Sequence, residues 1–282
     1  MYSLKAKNER NEELELTHNS AYSIVSTDGF DPPDAVINTI TGAGMDGSIY
    51  NSSRLEHRTI TLTIAINSPA LQNRHNLYKF FAPKSLVKLT YETEAREQYT
   101  EGYVQTSPVD LYAQKEVVQI TVICPNPYLM SPQREVVNFS YIENLFTFPF
   151  SIDSEGVAFS NLVRVHETIV TNHGELPVGA VFRLVSHGSV TNPKIFYADT
   201  GESMEFDLTM EDGDILTVST ERGNKYARLM HEGVYSNCIG KLTEDSTFFE
   251  LMAGDCAIVI DATSGAVNIE TTVSFEEHYV GV

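Results

Sequence analysis

Residues 57–66 read His-Arg-Thr-Ile-Thr-Leu-Thr-Ile-Ala-Ile, which puts Ile60, Leu62, Ile64 and Ile66 at every second position, with Thr59, Thr61, Thr63 and Ala65 between them. A helix needs apolar residues three and four apart, so this segment can bury one face only as a β-strand. Its β-branched threonines suit the opposite face of the same strand. Shorter runs of this kind occur at Glu13–Thr17, Ala35–Ile40, Leu86–Thr93, Tyr99–Thr106 and Glu116–Ile123. Further on they recur at Glu167–Asn172, Val178–Ser186, Ser203–Leu208, Asp214–Thr220, Phe248–Leu251, Cys256–Asp261 and Asn268–Phe275. Asn172-His173-Gly174, Asn192-Pro193, Glu211-Asp212-Gly213-Asp214 and Thr263-Ser264-Gly265 are turn chemistry between them. Short strands at about ten-residue spacing define a mainly β chain whose C-terminal part is a sandwich or barrel.

One segment has the other period. In Pro69–Phe81, Leu71 and Tyr78, with Ala70, Leu77 and Phe81 beside them, form an apolar stripe at helical spacing. Ser68 is placed to cap this helix, Pro69 suits its first position, and Pro83 turns Ala82 away from helix. A domain boundary is expected after Ile123, because Pro125, Pro127 and Pro132 crowd into a few residues that follow a strand. This gives an N-terminal domain over 1–135, a connecting segment over 136–162 and a C-terminal β-sandwich over 163–282. The connector contains FSYIENLFTFPF (residues 139–150), too apolar for a free linker, and is expected to pack as a strand or staple.

Charge separates the two parts. The chain of 282 residues carries 19 basic and 38 acidic side chains, a formal net charge of −19. Residues 1–139 hold 12 of those bases and 16 of the acids (net −4), and residues 140–282 hold 7 and 22 (net −15). Clustered Lys and Arg of the kind that neutralise phosphates are missing, which disfavours a free-standing nucleic-acid binder. No apolar run approaches the roughly 18 residues of a membrane span. The opening MYSLKAKNERNEELELT alternates charge with isolated apolars and does not read as a signal peptide. Cys124, Cys238 and Cys256 are odd in number and widely spaced, so they suggest neither a disulfide framework nor a zinc knuckle.

Motifs of chemistry resolve into structure. Gly42-Ala43-Gly44-Met45-Asp46-Gly47 fits G-x-G-x-x-G, but a dinucleotide site needs a helix next, and the next regular element is a strand; a glycine-rich turn or flap is expected. The eight histidines are scattered, no serine sits in G-x-S-x-G, and there is neither H-E-x-x-H nor C-x-x-C. Glu211–Asp214 lacks the ligand spacing of a calcium loop and reads as a hairpin turn. No catalytic, cofactor-binding or metal-ligating residue is assigned, no cofactor is expected, and the chain is not read as an enzyme.

The order of the motifs nevertheless resembles a family. In the N-terminal part these are Asn8…Leu14-Glu15-Leu16-Thr17, Asp28-Gly29-Phe30 with Pro32-Pro33, and Thr41-Gly42…Asp46-Gly47. Arg54…Arg58-Thr59-Ile60-Thr61-Leu62, the Arg74–Phe81 helix with Pro83-Lys84, Gly102-Tyr103-Val104 and Cys124-Pro125-Asn126-Pro127-Tyr128 follow. The C-terminal part adds Asn172-His173-Gly174, Val178-Gly179, Asn192-Pro193-Lys194-Ile195, Gly213-Asp214-Ile215-Leu216, Ser246–Leu251 with Gly254-Asp255, and Tyr279-Val280-Gly281-Val282. In this order the chain resembles the distal tail protein (Dit) family of long-tailed, siphovirus-type bacteriophages and prophages. It departs at Cys256, where Asn is frequent, and at His173-Gly174-Glu175, where Gly-Asp is more usual after Asn172; both are turn positions.

That resemblance implies an N-terminal ring-forming domain with one helix and a C-terminal galectin-like or carbohydrate-module-like β-sandwich. It implies a structural tail-tip or baseplate hub in the virion at the distal end of the tail, made in the bacterial cytoplasm. Six copies would form a ring joining the tail tube protein to tail-tip and receptor-binding proteins, with DNA passing through it without specific binding and no membrane contact. The competing function is a carbohydrate-binding adhesin, its sandwich recognising host cell-wall glycan. A cell-wall hydrolase is a third class, since 38 acids always contain some pair of carboxylates.

Overall fold

In the computed structural model, residues 2–110, 116–144, 160–164 and 166–282 are described, 141–144 and 160–164 by backbone alone. They form two compact units, one of residues 1–132 with 278–282 and one of residues 133–277. The chain thus leaves the first unit after Pro132 and returns to it at His278. The sequence had placed 163–282 together in the sandwich; the last five of these residues belong to the first unit.

The first unit is an antiparallel sheet in the order Glu13–Glu15, Ser3–Asn8, Leu86–Glu92, Glu97–Thr106, Val117–Cys124, Arg58–Ile66, Tyr22–Asp28. The alternating segment is its most buried strand: Ile60, Leu62 and Ile64 are fully enclosed, and Val118, Ile120 and Val122 of the neighbouring strand join them in one core. Each such side chain contributes about 1.5–3 kcal/mol by leaving water. Tyr22–Asp28 and Ile49–Leu55 are further strands that lack a clean alternation, and Ser3–Asn8 is one that has it, with Leu4, Ala6 and Asn8 buried between Ser3, Lys5 and Lys7.

The helix runs from Ala70 to Phe80. Its N-cap is Pro69, with no side-chain cap bond, so Ser68 does not cap it. The expected stripe is also rotated: Asn73, Leu77 and Phe80 are buried, whereas Leu71 is 61% exposed. Asn73 explains this. Its amide donates to the Asn67 carbonyl at 2.9 Å and its own carbonyl accepts the Tyr22 hydroxyl at 3.0 Å, so a polar residue turns inward and fixes the face.

Gly29 shows how closely the first unit packs. It has φ +87°, and a Cβ there would lie 2.0 Å from the Thr59 carbonyl oxygen. Gly29→Ala is therefore expected to destabilise this unit by about 3 kcal/mol, combining a left-handed backbone with a backbone clash. A urea melt of the variant checks this through its midpoint.

The second unit is a β-sandwich. One sheet has six strands in the order Glu135–Asn138, Ile269–Phe275, Ala180–Ser186, Ile215–Ser219, Tyr226–His231, Val234–Asn237. The other orders Glu167–Asn172, Gly254–Ser264, Val190–Tyr197 and Ser203–Glu205, with Thr209–Met210 also paired to Val190–Tyr197. Their inner faces share one core, including Phe182, Leu184, Leu216, Val218, Ile258, Val273 and Phe275. Asn192-Pro193 is not a turn: the strand Val190–Tyr197 runs through it, with Asn192 at φ +52° absorbing the irregularity. The hairpin of Tyr226–His231 and Val234–Asn237 was unread, because its outer strand is exposed throughout and carries no alternation. Of the connecting segment, Phe139 is buried in this core, Ser140–Asn144 pairs with Ser160–Arg164, and 145–159 lie outside the described residues.

Candidate functional site

The motifs of the first unit, scattered along the sequence, converge on Arg58. Its side chain sits on the inward side of the long strand and is 2% exposed. The guanidinium Nε donates to the Pro127 carbonyl at 2.8 Å, and Nη1 donates to the carbonyls of Gly29 and Asp31 at 2.6 and 2.7 Å. Nη2 donates to the Val280 carbonyl at 2.6 Å. One planar fork thus ties together the Gly29–Asp31 turn, the Cys-Pro-Asn-Pro loop and the returning segment 278–282. Burial works against its positive charge, with Cys124 and Asp31 acting the other way.

The segment 278–282 is held by further contacts. His278–Tyr279 pairs with Leu129–Met130, and Arg96 lies over the Tyr279 ring at 4.6 Å. The Gly281 carbonyl accepts from Arg96 at 3.2 Å and Gln98 at 3.4 Å, and the Val282 amide donates to Phe30 at 3.2 Å. Gly102 lets the Cys124 strand approach: a Cβ there would lie 2.6 Å from the Ile123 carbonyl oxygen. Arg58 was singled out in the sequence only as part of a motif. The signal for its burial was present, because 58 shares parity with 60, 62, 64 and 66 and so falls on the apolar face.

A second feature projects from this unit. Ala35–Ile40 and Ile49–Leu55 form a two-stranded hairpin that pairs with no other strand among the described residues. Ile37, Ile40, Ile49 and Tyr50 are 62%, 57%, 56% and 63% exposed, as is Met45 at 55% near the tip. The G-x-G-x-x-G stretch is the loop of this hairpin, with Gly44 and Gly47 at φ +80° and +85° and no helix following. It is the turn expected, on a flap.

The remaining reactive residues serve the structure. All three cysteines are buried, and burial pushes each thiol up. Among the described residues no three of His, Cys, Asp and Glu are grouped to hold a metal ion. In the Glu211–Asp214 turn, the buried Asp214 accepts the Glu211 amide at 2.8 Å and meets His231 Nδ1 at 2.7 Å. Phe139, Phe182, Phe206, Phe249, Phe275 and Tyr197 are core, so they are not platforms for a sugar ring. Asn172 closes the Asn-His-Gly turn by donating to the carbonyls of Leu176, Leu251 and Met252, while its own carbonyl accepts Gly174.

The His231–Asp214 pair makes a prediction. Hydrogen bonding to Asp214, and then its charge, raise the His231 pKa above the ordinary 6.5. A raised folded value means stabilisation that is complete below about pH 6.5 and lost as pH rises through the raised value. The Tm of the second unit should fall across that window in the native chain and stay flatter in His231→Gln.

With both units described, comparison with known proteins defines the class. Residues 10–124 match the phage tail protein RIFT-related domain, and residues 173–279 match the siphovirus-type tail component C-terminal domain. The crystal structure of the phage SPP1 Dit protein, described as a paradigm of hub adsorption apparatus in Gram-positive infecting phages, has a TM-score of 0.69 at 13% identity over 99% of both chains. A chain of the phage P2 baseplate, in its activated conformation with Ca, has a TM-score of 0.50 at 10% identity over 98% of both. At these identities the likeness to the solved structures is one of fold. No curated protein sequence matches the chain. Two tail-domain matches in this order make it a structural component of a siphovirus-type phage tail. It belongs to the distal tail protein family, and its place is in the virion at the distal end of the tail.

Proposed function

We propose that this protein forms a hexameric ring, the hub that joins the tail tube to the tail-tip and receptor-binding proteins, with the DNA passage through its centre. The observation that carries this is the hairpin of residues 35–55. A two-stranded hairpin is marginal in water by itself, and this one exposes large apolar side chains on strands whose outer edges pair with no other strand among the described residues. A neighbouring subunit that receives the hairpin removes both costs, and a contact between unlike surfaces closes into a ring when its rotation is right. The first unit is also the part of the chain near charge neutrality, which makes close packing of six copies tolerable. Negative-stain electron microscopy of the purified chain tests the reading: six-fold rings are expected, and a strictly monomeric protein at high concentration would overturn it.

A further inference from the structure

The sandwich has two outer faces of opposite character. On the six-stranded sheet, register places Asn138, Thr272, Arg183, Thr217, Arg228 and Asn237 in one row across all six strands. The row holds no acid, in a part of the chain with 22 acids against 7 bases. Arg183 and Arg228 are exposed and flank Thr217 from either side, and Arg228 lies over the Tyr226 ring at 4.6 Å. The next row is Glu270, Val185, Ile215, Met230 and Tyr235, in which Glu270 is paired with His187 and Tyr235 is 67% exposed. Arg, Tyr and Met enriched, with Lys and acids depleted, is the composition of a protein interface.

The outer face of the five-stranded sheet is the complement. Glu167, Asp255 and Asp261 are exposed there, with Ile169 at 62%. Its one cation by register, Lys194, pairs with Glu205 at 3.3 Å. The two faces point in opposite directions, so one copy's arginine row can meet the next copy's acidic face without either face having to match itself. Such a heterologous contact repeats around a ring, whereas two arginine rows facing each other would repel.

We propose that the second unit adds its own face-to-back contact between neighbouring copies, with Arg183 and Arg228 of one against Glu167 and Asp261 of the next. This rests on the ring reading and deepens it. Five inter-strand steps make the row about 24 Å long, a small contact by the measure of stable interfaces. It reinforces a ring made elsewhere, and it offsets locally part of the repulsion between neighbouring modules of net −15.

The test is mass photometry of the full chain over a concentration series at low and high salt. The R183E/R228E variant should need about tenfold more protein to assemble, as expected for loss of complementary charge, and should keep the wild-type thermal transition. Adding E167K/D261K to the same chain should restore assembly, since each copy then carries both halves of a swapped pair. If R183E/R228E lowers the thermal transition, R183Q/R228Q replaces it, with the same direction expected at smaller size. Assembly by the arginine variants equal to wild type, or no recovery in the four-site swap, overturns the proposal and leaves the ring intact. A wild-type chain that never exceeds monomer overturns the ring reading along with it.

Discussion

Arg58→Met should cost the first unit about 4 kcal/mol and lower its thermal transition by roughly 10 °C, the largest single-residue stability effect expected in this chain. Four carbonyls, those of Gly29, Asp31, Pro127 and Val280, lose their donor at once. A buried acceptor left unsatisfied costs about 1–3 kcal/mol, and water entering the space relieves part of the sum. Methionine keeps most of the volume, so the loss reports the polar contacts rather than a cavity. Lysine should not rescue it, because a single ammonium cannot reproduce a planar fork aimed at three separate segments. Differential scanning calorimetry measures the loss. Hydrogen exchange adds a specific signature, early loss of protection at the Val282 amide, which donates to Phe30 beside the Arg58 site. A variant that melts as wild type would show that the fork does not hold these segments.

The second large effect is on assembly and leaves stability alone. Ile37→Asp or Ile49→Asp is expected to raise the concentration needed for ring formation by about 100-fold or more, since each isoleucine contributes about 1.5–3 kcal/mol when its surface leaves water and a carboxylate in its place must be desolvated. Both side chains are more than half exposed in the single chain, so no core contact is lost and the melting curve should not move. Sedimentation velocity alongside a thermal melt separates the outcomes. Rings that persist unchanged in both variants would remove the hairpin from the subunit contact.

Much of the fold was legible because burial imposes a period. Arg58–Ile66 as far as Ile64, and Val117–Cys124, Ala180–Ser186 and Ile269–Phe275 throughout, alternate between a buried and a more exposed side, and that constraint is written residue by residue. Val234–Asn237 and Ile49–Leu55 have no buried side and carry no such alternation in the sequence. Asn192-Pro193 misled for a local reason: the dipeptide carries turn chemistry, yet pairing of Pro193 with Ala262 and Ile195 with Ile260 overrides it. Of the candidate site, the motif residues around Gly29, Arg58, Pro127 and Val280 were all visible, but only as separate pieces.

By itself, then, the sequence determined the mainly β class, a helix following Pro69 and the concentration of acid in residues 140–282. Those properties are local or additive: each follows from neighbouring residues or from a sum over them. Tertiary structure alone decided that 278–282 return to the first unit, that Asn73 rather than Leu71 faces inward, and that one arginine joins three segments. These depend on which distant backbone carbonyls arrive within reach of a given donor, and a bond between Arg58 and Val280, 222 positions apart, has no periodicity to announce it.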